Sequence, residues 1–140
     1  MANMCSNIVE VFGKKSPTFI RDVMERYVQD AELDHNKDGY VRVMNFETRW
    51  TPIISEFRER AKAYRVDFHY QYEEMGSEMY GEFHFVNGKG KHFRITPSEF
   101  KSVTELDNGY MYKGRVWSSR YDIFEMIISR KKKKHYGKDV

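Results

Sequence analysis

Residues 65–73, RVDFHYQYE, alternate without a break: Val66, Phe68, Tyr70 and Tyr72 occupy every second position, and Arg65, Asp67, His69, Gln71 and Glu73 fill the gaps. Successive side chains of a strand point to opposite faces, so this segment offers one aromatic face to a core and one polar face away from it. An aromatic row of this kind needs a cover, and two segments fit. After Pro17, the residues Phe19, Ile20, Val23, Met24, Tyr27 and Val28 recur at helical spacing; after Pro52, Ile53, Ile54, Phe57, Ala61 and Tyr64 do the same. The row of residues 66–72 is therefore expected beneath helices over 17–30 and 52–64.

The three prolines organise the rest. Each follows a hydroxyl residue (Ser16-Pro17, Thr51-Pro52, Thr96-Pro97), the order expected where a hydroxyl caps free amides and proline takes the first helical position. Glu99 completes a capping box with Thr96, but TELDNG follows soon after, so that helix is short. A fourth helix is expected from Ser119, with Ile123, Phe124, Ile127 and Ile128 inward and its end in the lysine run. Strands are expected at NIVEVF from Asn7, YVRVMNFET from Tyr40, MYGEFHFV from Met79 and KHFRI from Lys91, with GYMYKGRVW as one more. This order predicts an α+β fold: a mixed β-sheet with helices packed on one face, its other face largely solvated, plus C-terminal strands and a helix.

At 140 residues the chain suits one domain, and 40% hydrophobic with 16% aromatic residues supplies a real core. Cys5 is the sole cysteine, so no internal disulfide can form. The opening MANMCSN has no basic start or apolar run, and no stretch approaches the roughly 20 apolar residues of a membrane span. These features predict a reducing cytoplasm and no membrane. Charge is uneven. Six of the 24 basic residues and one of the 21 acidic ones lie within 129–140, so that segment carries +5 and the remainder −2.

Several segments carry candidate chemistry. DHNKDGYVRVMN, residues 34–45, places Asp34, Asn36, Asp38, Gly39 and Val41 at positions one, three, five, six and eight of an EF-hand calcium loop. The twelfth position, which must give two oxygens, is Asn45; the segment is read as a metal-free turn joining the first helix to the second strand. Cys5 has no histidine fixed beside it by spacing, and His69, His84 and His92 form no short ligand pattern, so no catalytic residue, metal or cofactor is expected. Glu73, Glu74, Glu78 and Glu82 surround EEMGSE and are read as a solvated hairpin tip. MYGEFHF lacks the leading basic residue of an RNA-recognition strand and has Glu82 where that strand needs an aromatic ring. Trp50, Trp117 and Tyr80 are the candidate partner contacts. Arg130, Lys131, Lys132, Lys133 and Lys134 are the candidate nucleic-acid contacts, on a tail of residues 130–140 lying beyond the apolar stripe.

MANMCSN, FETRWTPI at 46–53 and the later MYGEF together resemble the YubB ferredoxin-like domain family of phages and conjugative plasmids. The likeness spans residues 1–86, with Met4 where the family has a tryptophan and Pro52 as the single proline after Trp50. It implies a ferredoxin-like strand order over 1–86, an elaboration over 87–129 and the basic tail over 130–140, all within one domain. No iron is implied, because a cluster wants four thiolates. The resemblance names no catalytic residue. The expectation is a small non-enzymatic accessory protein of the bacterial host cytoplasm that binds a host or phage protein; the alternative is a nucleic-acid-binding accessory protein acting through its basic tail. Self-association is compatible with either.

Overall fold

A computed structural model describes residues 3–35 and 41–137. The chain runs β1 (Met4–Phe12), α1 (Ser16–Arg26), β2 (Glu32–His35), β3 (Val41–Arg49), α2 (Ile54–Tyr64), β4 (Asp67–Glu74), β5 (Met79–Val86), β6 (Lys89–Arg94), α3 (Pro97–Lys101), β7 (Thr104–Leu106), β8 (Gly109–Tyr112), β9 (Arg115–Trp117) and α4 (Arg120–Tyr136). The first six strands form one sheet in the order β2-β3-β1-β4-β5-β6. β1 and β2 run the same way with β3 between them, and β3 and β4 do likewise around β1. These are two interleaved βαβ units, the strand order of a ferredoxin-like fold. Hairpins then add β5 and β6.

Every pairing is antiparallel, which corrects the expected mixed sheet. The physical reason is topological: each helix-connected pair is parallel, but the interleaving separates its members, so parallel strands never become neighbours. A short strand, β2, also lies between α1 and β3, where a turn alone was expected.

The alternation on β4 is borne out. Phe68, Tyr70 and Tyr72 are buried on the face covered by α1 and α2, together with Val9, Val11, Phe19, Val23, Met44 and Phe57. Phe57 is the hub, its ring centroid 5.3–5.9 Å from those of Tyr70, Phe19, Phe46 and Phe68. Asp22 of α1 ties the two helices by accepting from Arg60 at 2.6 Å and from Tyr64 at 2.6 Å. The start of α2 differs in detail from the expected hydroxyl cap. Thr51 does not cap it; the buried Tyr70 hydroxyl accepts from Ile53 N at 3.1 Å and donates to Asn7 Oδ1 at 2.8 Å, so a core side chain does the capping.

The outer face is not left to water. α4 crosses it over β5 and β6, and Ile123, Phe124, Ile127 and Ile128 join Tyr80, Phe93, Ile95 and Tyr112 in a second core. Helices therefore cover both faces, and only the β2-β3-β1 side of the outer face stays open, with Met4 and Ile8 exposed. GYMYKGRVW is two strands, reversed at Lys113-Gly114, where φ is 46° and 77°. Positive φ at both central residues is the hairpin turn whose twist matches its strands. Among the described residues no helix is long and apolar enough to cross a membrane.

Candidate nucleic-acid interface

The helical run of α4 continues to Tyr136, so residues 130–136 extend a packed helix rather than forming a separate tail. Helical geometry sorts its cations. Lys131 and Lys132 stand three and four residues after Ile128 and share its inward side; Arg130, Lys133 and Lys134 fall on the exposed side. Lys131 Nζ donates at 2.6 Å both to Arg94 O and to Glu99, the acid of the Thr96 capping box. Lys132 Nζ lies 2.9 Å from Glu82 Oε2. These two lysines anchor α4 to β5 and α3, and the reading of residues 131 and 132 as free ligands for phosphate gives way to a structural role.

Glu82 is the centre of this anchoring. It sits mid-strand on β5 with a side chain 8% exposed, not on a solvated hairpin tip. Gln71 donates to its other oxygen at 2.7 Å, and His84 Nε2 stands 3.5 Å away. Burial alone would raise its pKa, but contacts with His84, Lys132 and Gln71 outweigh that and hold it down to about 2. His84 exchanges a hydrogen bond with the Tyr136 hydroxyl at 2.9 Å and stacks on His69 at 3.8 Å. Burial first, and His84 second, push His69 down to about 4.

Both shifts have the same consequence for stability. Between pH about 6.5 and 4 the unfolded chain takes up a proton at residue 69 that the folded chain refuses; between about 4.5 and 2 Glu82 behaves likewise. Stability is expected to be full above pH 6.5 and to fall in two steps on acidification. Thermal melts from pH 8 to 3 should show this, and His69→Asn should flatten the upper step; a flat profile from 6.5 to 4.5 would contradict it.

With Glu82 and Glu99 satisfied, the surface around the last turns of α4 is left basic. Residues 88–94 and 126–136 contain no acid. Lys91 is the cross-strand neighbour of His84, which Tyr136 contacts, and Lys89 follows two residues earlier on the same face of β6. Lys89, Lys91, Arg130, Lys133 and Lys134 are all exposed, and none makes an ion pair among the described residues. The charges thus continue from α4 onto the edge strand. Lysines there also protect an unpaired strand edge.

The other expected sites do not join this face. Tyr80 is buried, and its hydroxyl donates to Glu125, so its ring is not a free partner contact. Trp117 is half-buried against the second core with the Arg115 guanidinium 4.3 Å over its ring. Trp50 is 51% exposed and holds φ at 66°, with its amide donating to Asn3 O at 2.8 Å. Cys5 is fully buried, and burial pushes its thiol up to about 11, which leaves no thiolate for chemistry at neutral pH. His92 bonds Tyr72 on the opposite face from His69 and His84, so the three histidines do not converge. Asn36, Asp38 and Gly39 of the calcium-like segment lie outside the described residues; Asp34 and Asn45 stand on paired strands, facing Val43 and Glu32. An EF-hand joins two helices instead.

Comparison with protein families matches residues 29–113, more than half of the chain, to the family described as "Ferredoxin-like domain in Api92-like protein". The match begins after MANMCSN and α1 and extends through β8, so its range lies later than the 1–86 suggested by short motifs. Comparison with curated proteins and with solved structures gives no match. With its interleaved βαβ units in place, the chain belongs to the family of the ferredoxin-like domain in Api92-like protein.

Proposed function

We propose that this is a non-enzymatic nucleic-acid-binding accessory protein that grips the phosphate backbone with the exposed cations of α4 and β6. The observation that carries this reading is the continuity of Lys89, Lys91, Arg130, Lys133 and Lys134 across two elements whose own segments, residues 88–94 and 126–136, contain no acid. Four of the five are lysines, point cations on flexible stems that read charge rather than sequence, so binding is expected to be non-specific and strongly salt-dependent. The motif resemblance to phage and plasmid proteins supports a mobile-element setting in a bacterial cytoplasm.

The test is fluorescence anisotropy with a mixed-sequence oligonucleotide at low salt. The variant Arg130→Gln/Lys133→Gln/Lys134→Gln is expected to bind about 10- to 100-fold more weakly, by a similar factor for any sequence, with an unchanged melting temperature because these side chains hold nothing in place. Unchanged affinity would overturn the reading. A host or phage protein partner is the second reading, favoured by the exposed Met4 and Ile8 on the open side of the sheet and by the exposed Trp50 just past the end of β3. Capture of a lysate protein that survives nuclease and is lost in Trp50→Ala would favour it.

A further inference from the structure

Between the outer face of β1, β4 and β5 and the first half of α4 lies a cavity of about 170 Å³. Its apolar walls include Ile8, Ile128 and the rings of Tyr80 and Tyr121, and three glutamates line it: Glu82, already held by Lys132 and Gln71, and Glu73 and Glu125. Oε2 of Glu73 is out of contact with solvent and has no hydrogen-bond partner among the described residues. Glu125 accepts from the Tyr80 hydroxyl. Among the described residues no lysine or arginine lines the space, and Lys132, which reaches the lining Glu82 at 2.9 Å, is taken up by that carboxylate.

An orphaned carboxylate oxygen beside a second carboxylate lacks a donor that carries positive charge. Burial, and then Glu125, push Glu73 upward, which is the electrostatic sign of that missing cation. Aromatic and aliphatic walls suit an alkyl chain, and tyrosine faces attract ammonium groups. The volume holds about five or six groups of water size, at about 30 Å³ each, enough for a primary ammonium on a four-carbon stem.

We propose that this cavity binds a primary alkylammonium group, with Glu73 and Glu125 as its anionic partners and Tyr80 and Tyr121 as its walls. The group can come from a free diamine or from a lysine side chain of a polypeptide. This site is on the opposite half of α4 from the basic face and stands independently of the proposed nucleic-acid function.

The test is an NMR titration of the labelled full chain at pH 7 with three probes: pentane-1,5-diamine, Nα-acetyl-lysine methylamide and, as neutral control, 1-pentanol. Saturable shifts at Ile8, Tyr80, Tyr121 and Ile128 are expected with the two cations and not with the alcohol; whichever cation binds more tightly identifies the source. Glu73→Gln and Glu125→Gln should each weaken binding about tenfold, the size of losing one charge-assisted hydrogen bond. Glu73→Gln removes an unpaired charge and should fold at least as well as the parent; Glu125 is exposed, and a glutamine there can still accept from the Tyr80 hydroxyl, which gives a second variant. Absence of saturable shifts, equal binding of pentanol, or unchanged affinity in both variants would overturn the proposal.

Discussion

Phe57→Ala is expected to lower the free energy of unfolding by about 3–5 kcal/mol, the range for deleting a fully buried aromatic ring. The loss has two parts. The ring gives up its own transfer free energy, and four aromatic neighbours drawn from α1, β3 and β4 are left facing a void that rigid strands cannot close. Phe57 and Ala61 are the fully buried residues of α2, and Ile53, Ile54 and Tyr64 pack only partly buried beside them. For a chain of this size the melting temperature should fall by about 10–15 °C. Urea titration checks this, with Ile8→Ala as a control on the open face, where a change within about 0.5 kcal/mol is expected. A loss below about 1 kcal/mol in Phe57→Ala would show that the first core is not centred on this ring.

Lys132→Met should cost about 2–3 kcal/mol, although a surface lysine ordinarily contributes almost nothing. The difference lies in what remains behind. Glu82 is buried on β5, and without the ammonium its charge keeps only Gln71 and the more distant His84. Leaving one member of a buried pair uncompensated costs more than the pair contributes. The double variant Glu82→Gln/Lys132→Met should therefore recover most of the loss. A cycle of the two single variants and the double, followed by urea titration, measures the coupling. If Lys132→Met is neutral, α4 is not held to the sheet by this contact.

What was legible in the sequence follows from how local each signal is. The alternation of residues 66–72 and the stripes of Phe19–Val23 and Phe57–Ala61 are short-range patterns, and the core they predict is the one observed. The direction of the pairings is non-local. Whether β1 meets β2 or β3 depends on where two crossovers land, and no residue pattern records it. Polarity alone predicts that Gln71 and Glu82 face solvent, yet a strand carries buried polar residues where a distant segment brings compensation. Lys132, fifty residues downstream, supplies it. That contact had one readable trace: Lys131 and Lys132 follow Ile128 at the helical i+3 and i+4 spacing, which puts them on its side of the helix. Reading the apolar stripe as the end of the packed face missed that long cationic side chains can continue it. Tyr80 is buried, and not the expected partner contact, for a related reason: its cover, Phe124 and Glu125, lies on that same helix.

The central claim, that the α4 and β6 cations form a phosphate-binding face, is tested most directly by the salt dependence of binding. Anisotropy titrations of the full chain against a mixed-sequence duplex from 25 to 200 mM salt, in roughly doubling steps, give the slope of log K against log salt. About five phosphate contacts predict a slope near −4 to −5, and replacing Lys89, Lys91, Arg130, Lys133 and Lys134 with glutamine should bring it close to zero. A slope near zero for the parent chain, or an equal slope for parent and variant, would contradict the account.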